Sequence, residues 1–237
     1  MRGFNTYIEE GVHDPGIFKA FFTAGGPGSG KSYVAKKGGM GKMSPFGLKI
    51  VNSDPMYEKL LKDAGLATIP KDIKSKRGQA IRDVAKGLVG KRQAGWVEGR
   101  LGLLIDGTGK DYRKIQKLRG SLDEIGYDTY MLFVNTSLDV ALQRNEMRTR
   151  KIDETDVTDM WKAVQQNMGK FQQYFGPKNF IIVDNNTAYE EGSNSEKLFF
   201  GKVFAQISKL IRTPTDNTHA SRWIANELRM KQLMSGG

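Results

Sequence analysis

An apolar run at residues 18–23 leads into Gly25-Gly26-Pro27-Gly28-Ser29-Gly30-Lys31-Ser32, which matches G-x-x-x-x-G-K-[ST] in full and is followed by a stretch able to start a helix. The glycines let successive backbone N–H groups converge on one anion. Lys31 reaches the outer phosphates as a point charge, and the Ser32 hydroxyl can ligate Mg2+. Such a loop needs a strand before it and a helix after it, so the motif demands an α/β chain. Gly26, Gly28, Ser29, Gly30, Lys31 and Ser32 are the expected nucleotide-binding residues, with ATP and Mg2+ as the expected cofactors.

The rest of the chain repeats this alternation. Apolar runs at residues 48–51, 101–105, 130–134 and 180–183 join the first as buried strands, each followed by polar or glycine-rich residues and a helix-like stretch. The expected fold is a three-layer α/β/α P-loop NTPase with a mainly parallel five-stranded sheet. Between the last two strands Val157, Met160, Trp161, Val164, Met168, Phe171 and Phe175 recur at steps of three and four until Gly176-Pro177, a stripe that reads as core. Asn135-Thr136-Ser137-Leu138-Asp139 offers an N-cap to the helix before that one, and polar residues 149–155 separate the two like a flap. The basic, glycine-rich residues 36–42 read as a mobile loop. Residues 1–17 are expected to be an N-terminal extension and 18–212 the P-loop domain. Residues 213–237 are expected to be a C-terminal helical appendage, with Trp223, Ile224, Leu228 and Leu233 on one side and 234–237 frayed.

Composition removes several chemistries. The absence of cysteine excludes a thiol nucleophile, a Cys-ligated metal and a disulfide scaffold. The two histidines, His13 and His219, lie near opposite ends of the chain, which excludes a histidine-rich metal centre and argues against a Ser-His-Asp triad. No apolar run approaches the roughly 20 residues of a membrane helix. Glu9 and Glu10 stand where a signal peptide would carry its apolar core, so a cytoplasmic chain without a membrane partner is expected. The net charge of +11 either attracts phosphates or nucleic acid or serves solubility alone.

A P-loop alone does not separate a kinase from a motor ATPase or a GTPase, so the carboxylates at the strand ends must decide. Asp54 follows the second strand in Val51-Asn52-Ser53-Asp54, where it can accept the proton of an attacking hydroxyl; Asp54-Pro55 reads equally as a helix start. Asp106 ends the third strand in Ile105-Asp106-Gly107-Thr108-Gly109. It can hold Mg2+ through water or, with Thr108, grip a substrate hydroxyl, or simply form an Asp-Gly turn. Lys110 lies just beyond and can meet an acceptor phosphate. Arg144 and Arg148 share a helical face at the flap, with Arg150 further on, so that closure can bring arginines to the charge that develops in phosphoryl transfer; a solvated basic helix end fits the same residues.

This order of P-loop, strand-end Asp, strand ending in Asp-Gly-Thr-Gly and arginine-bearing flap resembles the zeta-toxin and polynucleotide-kinase branch of P-loop kinases, in forms often carried by tailed bacteriophages. The resemblance covers residues 18–186 and implies a catalytic base at Asp54, acceptor contacts at Asp106 and Thr108, and location in the host cytoplasm if phage-encoded. The family's toxins carry arginine two residues after the threonine; this chain has Lys110.

Between the second and third strands, Lys71, Lys74, Lys76, Arg77, Arg82, Lys86, Lys91 and Arg92 face only Asp72 and Asp83 as acids, a basic wall that can track a polynucleotide or be a solvated helix face. Three readings follow. The first is a kinase, favoured as a monomer, that phosphorylates a hydroxyl on a nucleic-acid end, nucleoside or nucleotide sugar, with Arg82 and Lys86 among its acceptor contacts. The others are an ATP-dependent nucleic-acid motor or packaging ATPase, and a virion or assembly protein that keeps a nucleotide site.

Overall fold

The computed structural model describes residues 12–41, 45–148 and 152–235. Five parallel strands form one sheet: β1 (Lys19–Ala24), β2 (Lys49–Val51), β3 (Leu103–Ile105), β4 (Asp128–Asn135) and β5 (Phe180–Asp184), in the order β2-β3-β1-β4-β5. All of β1 is buried, which suits a central strand covered on both faces. Its side chains alternate accordingly. Phe21 enters one core with Leu104, Leu132 and Val183, whereas Ala20, Phe22 and Ala24 enter the other with Leu103, Met131 and Phe133.

Helices α1 (Lys31–Ala35) and α8 (Asn194–Arg212) cover the first face; α5 (Tyr112–Glu124), α7 (Glu154–Phe175) and α9 (Thr218–Ser235) cover the second. Between β2 and β3 the chain makes a cap of α2 (Asp54–Asp63), α3 (Pro70–Lys74) and α4 (Lys76–Glu98). The cap has its own small core around Tyr57, Leu61 and Ala85, while Trp96 and Val97 at the end of α4 pack against the second sheet core. Helix α6 (Leu138–Glu146) follows β4 with Ser137 as its N-cap, Oγ accepting the Val140 N–H at 3.3 Å. The apolar stripe of α7 is core, with Val157, Val164, Phe171 and Phe175 buried, and the helix stops at Gly176 as expected. Among the described residues no helix is long and apolar enough to cross a membrane.

Three expectations need correction. β5 ends the strand order and is not fully buried: Ile181 and Val183 face the core, but Ile182 is 53% exposed. The basic tract is no mobile loop, since Lys36–Met40 winds into a π-type turn with Gly38 and Met40 buried. A Cβ on Gly38 would fall 2.7 Å from Ile207 Cδ1 and 3.3 Å from Val203 Cγ1, so this glycine permits a close approach to α8. Lys42 lies outside the described residues. Finally, α9 uses only its first turns for packing. Ala220 is buried and Trp223 meets Phe18 edge-on at 5.5 Å, while Leu228 and Leu233 are 37% and 67% exposed. The helix continues through Met234, expected to be frayed, and residues 236–237 lie outside the described residues.

The π-type turn is also clamped electrostatically. Lys37 Nζ lies 2.7 Å from Glu196 Oε1, the Tyr33 hydroxyl donates to the same carboxylate, and the Gly192 N–H donates to Oε2 at 2.8 Å. The Lys37 hydrogen bond leads these in holding the Glu196 carboxyl down to about 2, from an ordinary value of 4.5. A group whose folded pKa is depressed stabilises the fold above its unfolded pKa and loses that contribution as pH falls through the folded one. Thermal unfolding midpoints should therefore drop as pH falls from about 4.5 towards 2, and Glu196→Gln should flatten this dependence in a pH series.

Candidate active site

The loop after β1 is tied to its neighbours by hydrogen bonds and close packing. The Gly25 N–H donates to the Thr108 carbonyl at 2.9 Å, and Asn185 Nδ2 donates to the Ser29 carbonyl at 2.8 Å. Gly28 has φ +76°, and a Cβ there would fall 2.3 Å from the Ala141 carbonyl oxygen, so a side chain would both strain the loop and push it off α6. Lys31 Nζ folds back onto the Gly25 carbonyl at 2.7 Å. Burial is the largest influence on this ammonium and lowers its pKa; Asp106 opposes it, Arg148 adds to it, and Asp54 opposes it more weakly. The charges of Asp106, Arg148 and Asp54 thus all act on Lys31.

Two buried polar atoms here, Ser29 Oγ and Arg144 Nη1, have no hydrogen-bond partner among the described residues. Burial also lowers the Arg144 pKa. Orphaned buried groups are costly and uncommon, and a polyphosphate in the loop would satisfy both. Beside them a cavity of about 270 Å3 is lined by Gly30, Tyr33, Arg144, Asn185, Thr187 and Tyr189, which suits the nucleoside end of the same ligand.

At the strand ends, the order β2-β3-β1 sets Asp106 between two neighbours. Its Oδ1 accepts from Thr23 Oγ1 and its Oδ2 from Asn52 Nδ2, each at 2.8 Å. Asp54 stands at the first position of α2, where Ser53 occupies the cap position and no side-chain cap bond is made. The helix-start reading is therefore half right: Asp54 lies in the first turn and Pro55 follows it, but the Asp54 carboxylate caps nothing. It is exposed, free to meet a substrate.

Two cavities open at Thr23 and Asp106. The larger, about 510 Å3, has walls of Met40, Ile50, Met56, Val89, Trp96 and Leu104, with Ser32 and Asn52 beside Asp106 and with Lys36, Lys59 and Arg92 among its lining. The smaller, about 240 Å3, is lined by Thr108, Lys110 and Lys114 among others. The turn between them and α5 is held by Asn167, whose Nδ2 donates to the Gly109 and Lys110 carbonyls at 3.0 and 2.9 Å.

The basic residues of α4 do not share one face. At about 100° per residue, Lys76, Arg77, Arg82, Lys86, Lys91 and Arg92 point to different sides of α4. Arg82 turns inward, its guanidinium 4.6 Å over the Tyr57 ring and its Nε buried, so it packs the cap core rather than facing an acceptor. Lys86 is exposed and lies 3.5 Å from Asp83. Of this run only Arg92 lines the large cavity. Arg150 and the centre of the flap lie outside the described residues, while Glu154 and Thr155 already belong to α7. The flap's base is tied by Asn145, which donates to the Ile152 carbonyl at 2.7 Å and accepts the Ile152 N–H at 3.1 Å.

Thr23, Asn52, Trp96, Asn145, Asn167 and Asn185 were not singled out as site residues by sequence. Two of them carried a signal: Asn52 sits two residues before a helix start, as Asx-turn residues do, and Thr23 is a polar residue inside an apolar strand. Mg2+ suits the oxygen donors Ser32 and Asp106, which face the same cavity, and each Asp106 oxygen keeps a lone pair beyond its one hydrogen bond. No group of three or more His, Asp or Glu side chains converges among the described residues, so such an ion would rely on the phosphates of its nucleotide for further ligands.

The family model described as "Zeta toxin" matches residues 10–193. Among solved structures, one from the PezAT chromosomal toxin–antitoxin system of Streptococcus pneumoniae superposes with TM-score 0.55 at 17% identity, covering 82% of this chain and 85% of that one. A chain of the Pnkp1/Rnl/Hen1 RNA repair complex gives TM-score 0.52 at 16% identity, covering 76% of this chain and 53% of that one. No curated protein sequence matches the chain.

Proposed function

We propose that this chain, which belongs to the zeta toxin family, transfers the γ-phosphoryl group of ATP to a hydroxyl on a nucleotide-type acceptor, either a polynucleotide 5′-end or a nucleoside or nucleotide sugar. The observation that carries this reading is that Asp106 and Ser32 line the 510 Å3 cavity beside the loop after β1, with the charges of Asp106, Arg148 and Asp54 all acting on Lys31. Lys31 and the loop N–H groups hold the β- and γ-phosphates. The Asp54 carboxylate accepts the proton of the acceptor hydroxyl as its oxygen bonds to the γ-phosphorus and the bond to the departing ADP oxygen breaks. Arg148, with Arg150 from the flap, offsets charge on the equatorial oxygens, and Arg144 lies against the nucleotide. Ser32 and Asp106 would hold Mg2+, which would supply positive charge against the phosphates. Asp106, Thr108 and Lys110 orient the acceptor. Residues 18–212 carry this chemistry, with 213–237 as a brace, and the cytoplasm suits it as a source of ATP.

The acceptor side of the cavity favours a molecule that joins a flat apolar body to an anion. Trp96, Met40 and Met56 suit a base, while Lys59 and Arg92 suit a phosphate. The test is label transfer from γ-labelled ATP to 5′-hydroxyl DNA and RNA, nucleosides and nucleotide sugars; failure with every acceptor of this panel would sink the reading. Salt and charge reversal then separate the acceptors. Each phosphate contact to a single strand adds about −0.7 to the slope of log affinity against log salt. Arg92→Glu should weaken any anionic acceptor. Lys86→Glu, which lies outside the cavity lining, should weaken only a strand long enough to run past it. A flat salt response with no effect of Lys86→Glu identifies a small acceptor. Arg82 is unsuitable for this test because its reversal would disturb packing on Tyr57.

A further inference from the structure

The geometry points to Asn52 as a positioning residue that locks the two strand-end acids into one arrangement, an inference that rests on the reading of Asp54 as the base. Asn52 leaves β2, Asp106 leaves β3 and Thr23 belongs to β1, three adjacent strands whose ends lie side by side. The hydrogen bonds among them have only one consistent direction. The Asp54 backbone N–H can only donate, and it meets Asn52 Oδ1 at 2.8 Å. The other end of the Asn52 amide is therefore its NH2, which donates to Asp106 Oδ2 at 2.8 Å. On the far side the Gly107 N–H donates to Thr23 Oγ1 at 3.2 Å, which leaves the single hydroxyl hydrogen for Asp106 Oδ1 at 2.8 Å.

The chain is continuous, from the Asp54 backbone through Asn52 to Asp106 and on to Thr23. The Asp106 N–H already ties the end of β3 to β2 by donating to the Val51 carbonyl at 3.0 Å; the Asn52 side chain adds the link that fixes the plane of the Asp106 carboxylate relative to the first residue of α2. Thr23 holds Asp106 but makes no link to Asp54. Asn52 is the member that spans both. Its loss should spare ATP binding, which depends on the loop after β1, and should slow transfer, which depends on how the acceptor hydroxyl, its base and Asp106 line up. Misplacement of reacting groups by about 1 Å costs on the order of 100-fold.

Asn52→Ser is the informative variant. A serine hydroxyl can still accept the Asp54 N–H and start α2, but it is too short to reach Asp106. The expected result is a kcat reduced about 10- to 100-fold, as in Asn52→Ala, with the ATP Kd and unfolding midpoint close to wild type. In an Asp54→Asn background, Asn52→Ser should add little further loss, because both act on one step. Wild-type kcat in Asn52→Ser, with Asn52→Ala impaired and Asp54→Asn inactive, would overturn the positioning role and leave Asn52 as a helix-start residue. A loss in Asn52→Ser that appears equally in ATP affinity would overturn it too. Full transfer by Asp54→Asn would instead overturn the base assignment on which the inference rests, whatever Asn52→Ser does.

Discussion

Lys31→Ala should reduce phosphoryl transfer below detection and weaken ATP binding by at least about 2 kcal/mol, a factor of roughly 30, in equilibrium titration. The physical reason is specific to this loop. Lys31 is half-buried and rests on the Gly25 carbonyl at 2.7 Å, with burial lowering its pKa. Only a polyphosphate repays that desolvation fully. It follows that the substitution should leave the unfolding midpoint of the ligand-free protein unchanged or slightly raised. ATP should stabilise the wild type by mass action and the variant hardly at all. A variant that retains wild-type transfer would remove the loop from the chemistry.

Asp54→Asn is expected to keep ATP affinity and lose transfer by at least about 100-fold, the lower reach of general-base catalysis. Because the Asp54 carboxylate caps no helix and its backbone N–H, not its side chain, bonds Asn52, the amide should fold without penalty. The measurement is single-turnover transfer alongside nucleotide titration. Undiminished transfer would return Asp54 to a passive place in the first turn of α2.

The parts of this site that could be read from the sequence are those whose physics is local. A glycine-rich loop between a strand and a helix can do little but turn around an anion, and the apolar steps of α7 are set by the helical period alone. What could not be read depends on the sheet order. Nothing local in residues 180–183 says that β5 lies at an edge, and nothing local in residues 21–24 says that Thr23 will face a carboxylate 83 residues away. Charge was the poorest guide. Arg82 and Arg92 look alike in a basic run, yet one packs on Tyr57 and the other borders a cavity. The glycines of residues 36–41 suggested freedom where Gly38 instead permits contact with Ile207.

The cap's separate core has a consequence for how such a chain can change. Tyr57, Leu61 and Ala85 belong to neither sheet cluster, and α4 reaches the second sheet core mainly through Trp96 and Val97. Substitutions in distinct, non-touching cores tend to act independently. On the proposed reading, mutations in the core of α2–α4 can therefore reshape the acceptor's enclosure with little effect on the helix that begins at Lys31 or the strand that ends before Asp106. On that reading acceptor preference can diverge while the phosphate-handling half stays as it is, and an exchanged cap grafted after Asp54 and at Trp96 would carry its own specificity with it.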